Sequence, residues 1–189
     1  MSPKAIPNLI TLFRILLVIP LIGLLINRQY GMVLGLFAVA GASDALDGFL
    51  ARRFGWSSRL GALLDPLADK LLMVSSYITM GLLGMLPAWL VILVILRDIV
   101  IVSGATAYQF LIGRVEMEPT LISKANTALQ VLLVLLVLFS LAMQALPEAM
   151  IDGMVLAVAV TTVWSGLKYV GIWGRRAHYL YSSERKGVR

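Results

Sequence analysis

Apolar residues run along this chain in long, nearly unbroken blocks, and the polar residues between them come in short clusters. Six blocks stand out, at residues 9–27, 31–52, 61–84, 87–112, 121–146 and 149–173. Each has about 20 residues or slightly more, the length an α-helix needs to cross a bilayer. None alternates apolar and polar with a period of two, so none reads as a strand. The connections are short: Asn27 to Tyr30 and Gly84 to Pro87 are turn-like, and "ALPEA" separates the last two blocks at Pro147. The pattern predicts an all-α, polytopic membrane protein with six transmembrane helices, forming a single domain over residues 1–189.

Composition sharpens that picture. Only 14% of the 189 residues are charged, against about a quarter in a soluble domain. There is no cysteine, hence no disulfide framework and no thiolate chemistry, and the single histidine, His178, excludes a multi-histidine metal site. The N-terminal run resembles a signal peptide, but Arg14 interrupts it and no small-residue cleavage site follows, so it reads as a retained first helix. Asn8 and Thr11 stand at its start with Arg14; they either touch a ligand headgroup or, more plainly, Asn8 is an N-cap and Arg14 snorkels.

The net charge of +6 is unevenly placed. One set of segment ends carries Lys4, Arg14, Arg52, Arg53, Arg59, Arg114, Lys124, Arg175, Arg176, Arg185, Lys186 and Arg189; the other carries Arg28. The basic ends should be cytoplasmic, which puts both termini there and makes anionic lipid, not nucleic acid, the partner of the charge. The expected location is a bacterial-type inner (cytoplasmic) membrane. Trp56, Trp89, Trp164 and Trp173 read as interface anchors.

Four carboxylates break the apolar pattern. Asp44 and Asp47 fall in the last turns of the second segment, and Asp65 and Asp69 in the first turns of the third. Spacings of three and four residues put each pair on one helix face, beside Gly41, Gly48, Ala51, Gly61 and Ala68, whose small side chains leave room for a ligand. An aspartate inside a spanning helix costs roughly 2.5–3.5 kcal/mol on insertion scales, so the group needs neutralising. Lys70, Arg52 and Arg97 are the cationic neighbours in view. They are too few, and all-oxygen ligation suits Mg²⁺ or Mn²⁺. Two divalent ions would serve an in-line displacement at phosphorus. The plainer alternative is that the carboxylates are ion-paired helix glue or mark the water interface.

Asp44-x-x-Asp47-Gly48-x-x-Ala51-Arg52, eight residues, then Gly61-x-x-x-Asp65-x-x-x-Asp69 resembles the signature of the CDP-alcohol phosphotransferase family at every fixed position. The resemblance implies a six-helix membrane enzyme that moves a substituted phosphate from a CDP-linked donor such as CDP-diacylglycerol to an alcohol, releasing CMP. It further implies that Asp44, Asp47 and Asp65 bind metal and the CDP diphosphate, and that Asp69 contacts metal and acts as general base. Gly48, Ala51, Arg52 and Gly61, with Asn8 and Thr11, would hold the CDP moiety. A homodimer is the assembly the family implies, with the active site facing the cytoplasm.

The acceptor rests on residues outside the signature. Arg97, beside Asp98 in the fourth segment, and Lys124 with Ser123 at the start of the fifth are the expected acceptor-phosphate contacts. The alternatives are that Arg97 pairs with Asp98 or a signature aspartate, and that Lys124 is a topology marker. "EPTLISKANTALQ" is similar to the cardiolipin-forming branch of the family, which uses phosphatidylglycerol. The branch that uses glycerol 3-phosphate more often carries a glycine and a second lysine where Ser123 and Asn126 stand. One fewer cation favours a phosphodiester over a phosphomonoester acceptor. A divalent-cation transporter is the competing class, but no inverted repeat or broken midplane helix is visible.

Overall fold

The computed structural model describes residues 5–54, 61–112, 120–143 and 146–185. Within its helices it leaves out the side chains of residues 5–8, 45, 47, 48, 50–52, 61–66, 105, 107–112 and 173–185. The described chain is helical without strands: α1 Ala5–Leu16, α2 Val18–Ile26, α3 Tyr30–Phe54, α4 Gly61–Leu82, α5 Ala88–Ile112, α6 Leu121–Met143 and α7 Glu148–Arg185. Leu9–Ile26, Leu121–Met143 and Glu148–Ile172 are each long and apolar enough to cross a membrane, and Tyr30–Asp44 is a shorter apolar stretch. Large side chains lie bare along the helices, among them Ile19 (72% exposed), Leu82 (83%) and Leu167 (68%), as suits surfaces solvated by lipid.

Helix ends fall close to the expected segment ends, with two differences. The first segment is divided at Leu17 into α1 and α2. Pro20 has no N–H to offer the Leu16 carbonyl, and its ring crowds that carbonyl, so the ladder lapses one turn before the proline. Asn8 lies inside α1, which begins at Ala5, so the N-cap reading of Asn8 is wrong. The last helix runs on to Arg185. At 1.5 Å per residue its 38 residues extend about 57 Å, well beyond one span.

Two turns close with the same hydrogen bonds. After α4, Met85 N–H donates to Met80 C=O (2.8 Å) and Gly84 N–H to Gly81 C=O (3.1 Å), with Gly84 at φ +74°: a Schellman motif. After α2, Gln29 N–H donates to Leu24 C=O (2.9 Å) and Arg28 N–H to Leu25 C=O (3.0 Å). Here the left-handed position is Arg28, at φ 58°, where a β-carbon is strained. Arg28→Gly is expected to stabilise the protein by about 1 kcal/mol, read as a higher Tm in detergent; an unchanged or lower Tm would refute it.

The residues group into two compact units. One comprises 1–88 with 134–147, the other 89–133 with 148–189. In the first, α1 and α2 pack against both α3 and α4. Val33, Phe37 and Ala40 of α3 and Ala68, Leu72, Ser76 and Met80 of α4 recur at three- and four-residue spacing and are buried, as are Leu21 and Leu25 of α2. In the second, the buried stripe of α7 is Val155, Val158, Thr162, Ser165 and Tyr169, a 3-4-3-4 pattern that becomes polar midway.

Candidate functional site

The seam of the first unit is apolar at α2 and polar at α1. Thr11 and Arg14, three residues apart on one face of α1, are both buried (0% and 1% exposed). Arg14 sits 15 residues before Gln29 and Asp44 lies 15 after it, so the antiparallel helices bring them level. The Arg14 guanidinium Nη1 lies 3.0 Å from Asp44 Oδ1 and donates to Asp69 Oδ1 at 2.7 Å. One cation therefore ties α1 to both α3 and α4 through the first and last aspartates of the signature.

This corrects the sequence reading of Arg14. Arg14 does not snorkel; within the seam, two carboxylates are its partners. Arg97 pairs with its neighbour Asp98, one of the alternatives weighed for it. The signal for Arg14 was present: a cation set among apolar residues as far from the α2–α3 turn as Asp44.

The side chains of Asp44 and Asp69 are 51% and 53% exposed. Two hard carboxylate oxygens thus converge on the buried Arg14 guanidinium, while about half of each carboxylate side chain stays exposed. That donor set fits a divalent ion. Asp47 and Asp65 belong to α3 and α4, but their side chains lie outside the described residues, as do those of Asn8, Gly48, Ala51, Arg52 and Gly61. Among the described residues no three acidic or histidine side chains form a metal-binding group.

The second unit holds another polar centre. Arg97 of α5 is 7% exposed. Its Nη1 donates to Asp98 Oδ1 (2.8 Å) and its Nη2 to the hydroxyls of Ser165 (2.7 Å) and Ser123, while Nε also reaches Ser165 (3.3 Å). Two of the three expected acceptor contacts, Arg97 and Ser123, are therefore together, and Lys124 is exposed on the first turn of α6. Ser165 was not foreseen; the 3-4-3-4 stripe of α7 is the signal that contains it. Both serines accept from Arg97, which leaves their O–H groups able to donate. Deeper in, Asn126 is fully buried and its Oδ1 accepts from the hydroxyls of Thr161 (2.8 Å) and Thr162 (2.9 Å), clasping α6 to α7.

Residues 4–164 match the family model described as CDP-alcohol phosphatidyltransferase. Cardiolipin synthase (CMP-forming) of Rattus norvegicus is 36% identical over 150 residues, covering 70% of this chain and 49% of its own length. The probable cardiolipin synthase (CMP-forming) of Drosophila melanogaster is 32% identical over 182 residues, 87% of this chain and 56% of its own. The chloroplastic CDP-diacylglycerol–glycerol-3-phosphate 3-phosphatidyltransferase 1 of Oryza sativa subsp. japonica is 38% identical over 147 residues, 68% of this chain and 44% of its own. The chain spans about half the length of the curated relatives it matches.

Proposed function

The chain belongs to the CDP-alcohol phosphatidyltransferase family, and from that premise we propose that it transfers a phosphatidyl group from CDP-diacylglycerol to phosphatidylglycerol, forming cardiolipin and releasing CMP. The observation that carries the chemistry is the convergence of Asp44 and Asp69, the outer members of the four-aspartate signature, on one cation position. In this reading Asp69 accepts the proton of the acceptor hydroxyl as its oxygen attacks the β-phosphorus. The bond from that phosphorus to the bridging oxygen breaks, and CMP carries the bond electrons away. Asp44, Asp47, Asp65 and Asp69 would hold two divalent ions, Mg²⁺ or Mn²⁺, which when bound neutralise the diphosphate and the departing CMP. Gly48, Ala51, Arg52 and Gly61, with Asn8 and Thr11, take the nucleotide.

Arg97, Ser123 and Lys124 are assigned to the acceptor's phosphodiester. Arg97 supplies the planar fork, and the hydroxyls it orders supply further donors. Arg97→Lys keeps the charge and loses the fork. It is expected to raise the KM for the acceptor about tenfold, roughly the worth of one charge-assisted hydrogen bond, with the KM for CDP-diacylglycerol unmoved. Equal movement of both would sever Arg97 from the acceptor.

The basic segment ends support six spans with both termini and the site on the cytoplasmic side of a bacterial-type inner membrane. The family match over residues 4–164 supports reading residues 1–189 as one catalytic domain; the homodimer follows the family. A second reading, glycerol 3-phosphate as acceptor, is favoured by the similarity to the rice phosphatidyltransferase. CMP release from purified protein with CDP-diacylglycerol and Mg²⁺ or Mn²⁺ decides between them. Turnover with phosphatidylglycerol alone is expected. Turnover with glycerol 3-phosphate alone would replace the first reading by the second, and metal uptake into sealed vesicles without CMP release would replace both by a transporter.

A further inference from the structure

A groove of about 980 Å³ runs over the second unit, lined by Trp89 and Leu93 of α5, Ile122 of α6, and Val163, Trp164 and Lys168 of α7 among others. It lies at the upper end of the range ligand sites occupy, about 300–1,000 Å³. Its walls are apolar except at Lys168, which is exposed. Position in the helices links it to the Arg97 centre. Leu93 lies one turn before Arg97 on the same face of α5, and Ile122 and Trp164 immediately precede Ser123 and Ser165, both of which accept from Arg97. Lys168 follows Ser165 by three residues, on the same side of α7. An apolar trough and a cationic, hydroxyl-bearing centre are therefore built from the same three helices.

We propose that this groove holds one acyl chain of the phospholipid acceptor, with Lys168 at its margin and Arg97 and Ser123 beneath, all three serving the phosphodiester, the lipid's one negative charge. The assignment rests on phosphatidylglycerol being the acceptor. The occupant follows from the chemistry of the walls. A trough of tryptophan, leucine, isoleucine and valine has no use for a tailless polyol phosphate, whereas a lipid tail passes into it from one apolar medium to another without cost, so the choice among lipids is made by the charge at its margin. A cation at its margin selects an anionic headgroup over a zwitterionic one. Trp89 and Trp164 add indole N–H donors of the kind that sit at the ester level of a bilayer.

Val163 is 45% exposed, so Val163→Trp fills the trough without disturbing a packed seam. Val170→Trp, on the same helix outside the groove and 55% exposed, is the control. With the full chain in mixed micelles, Val163→Trp is expected to raise the KM for phosphatidylglycerol about tenfold, because the indole excludes the tail and the headgroup loses its register with Arg97, roughly the worth of one charge-assisted hydrogen bond. The KM for CDP-diacylglycerol should hold, as should turnover of the headgroup alone, glycerophosphoglycerol. Lys168→Gln is expected to raise the same KM about threefold, less so at high salt. On the unmodified chain, phosphatidylglycerol with a photoactivatable group on its acyl chain should label the peptide containing residues 159–168. An unmoved KM for phosphatidylglycerol in Val163→Trp, or no labelling there, overturns the groove while cardiolipin formation by the parent protein leaves the acceptor reading intact. A rise in the KM for CDP-diacylglycerol instead assigns the groove to the donor and overturns the proposal. A parent protein that uses only glycerol 3-phosphate defeats the acceptor reading itself, before any variant is compared.

Discussion

Asp69→Asn is expected to lower CMP release by at least about a thousandfold while leaving the protein folded. A general base contributes roughly 10²–10⁴, and a carboxylate that also binds metal contributes on top of that. Asparagine keeps the shape of aspartate and can still accept from Arg14 Nη1, which Asp69 Oδ1 meets at 2.7 Å, so the link between α1 and α4 survives. It cannot take a proton, and it is a weak ligand for a hard divalent ion. The two losses separate by titration with Mn²⁺. If Asp69 served only as a ligand, saturating metal would restore turnover; if it is the base, the variant stays slow at every metal concentration. Asp98→Asn provides the contrast. Asp98 is also a helix aspartate paired with an arginine, but it stands outside the signature, and its replacement should act on the acceptor KM. Substantial turnover by Asp69→Asn at saturating Mn²⁺ would remove Asp69 from the base role.

The helices were legible because their causes are local and repeated. Apolar runs of spanning length end at Gly84, Pro87 and Pro147, and the corresponding helices end within a few residues of those points. The lapse at Leu17 was not read, although Pro20 prescribes it, because one missing hydrogen bond does not alter the hydropathy of a block. The continuation of α7 to Arg185 was missed for the opposite reason: the tail is polar, and hydropathy reports where a helix can be buried, not where it stops. At the sites, residue type was informative and pairing was not. Arg97 and Ser123 were recognisable as a cation and a hydroxyl in apolar surroundings, and they meet. That Arg14 answers two of the aspartates depends on how far each lies from a turn, a count that proximity in sequence does not make. Ser165 is an ordinary small residue of a helix interior until Arg97 comes against it.

Arg14→Met is expected to make the stability of the protein depend on divalent metal. Arg14 is buried to 1% exposure between Asp44 and Asp69. A methionine fills much of its volume but leaves two carboxylates converging on a position with no positive charge. Breaking a fully buried ion pair from one side costs about 3–5 kcal/mol. Here both carboxylates are half exposed, so water and salt screen part of the loss and about 2 kcal/mol is the expected destabilisation. A divalent ion bound by the same carboxylates supplies the missing charge, and a ligand that binds only the folded state stabilises it in proportion to the logarithm of its concentration over Kd. Added Mg²⁺ should therefore raise the Tm of Arg14→Met more than that of the parent protein. Arg14→Lys, which keeps a point charge, should fall between them. If Mg²⁺ moves all three equally, the ion does not share Asp44 and Asp69 with Arg14, and those two carboxylates serve the helix seam and not a metal. Because the readout is thermal unfolding in detergent, this result is independent of which alcohol the protein uses and of whether turnover survives the substitution.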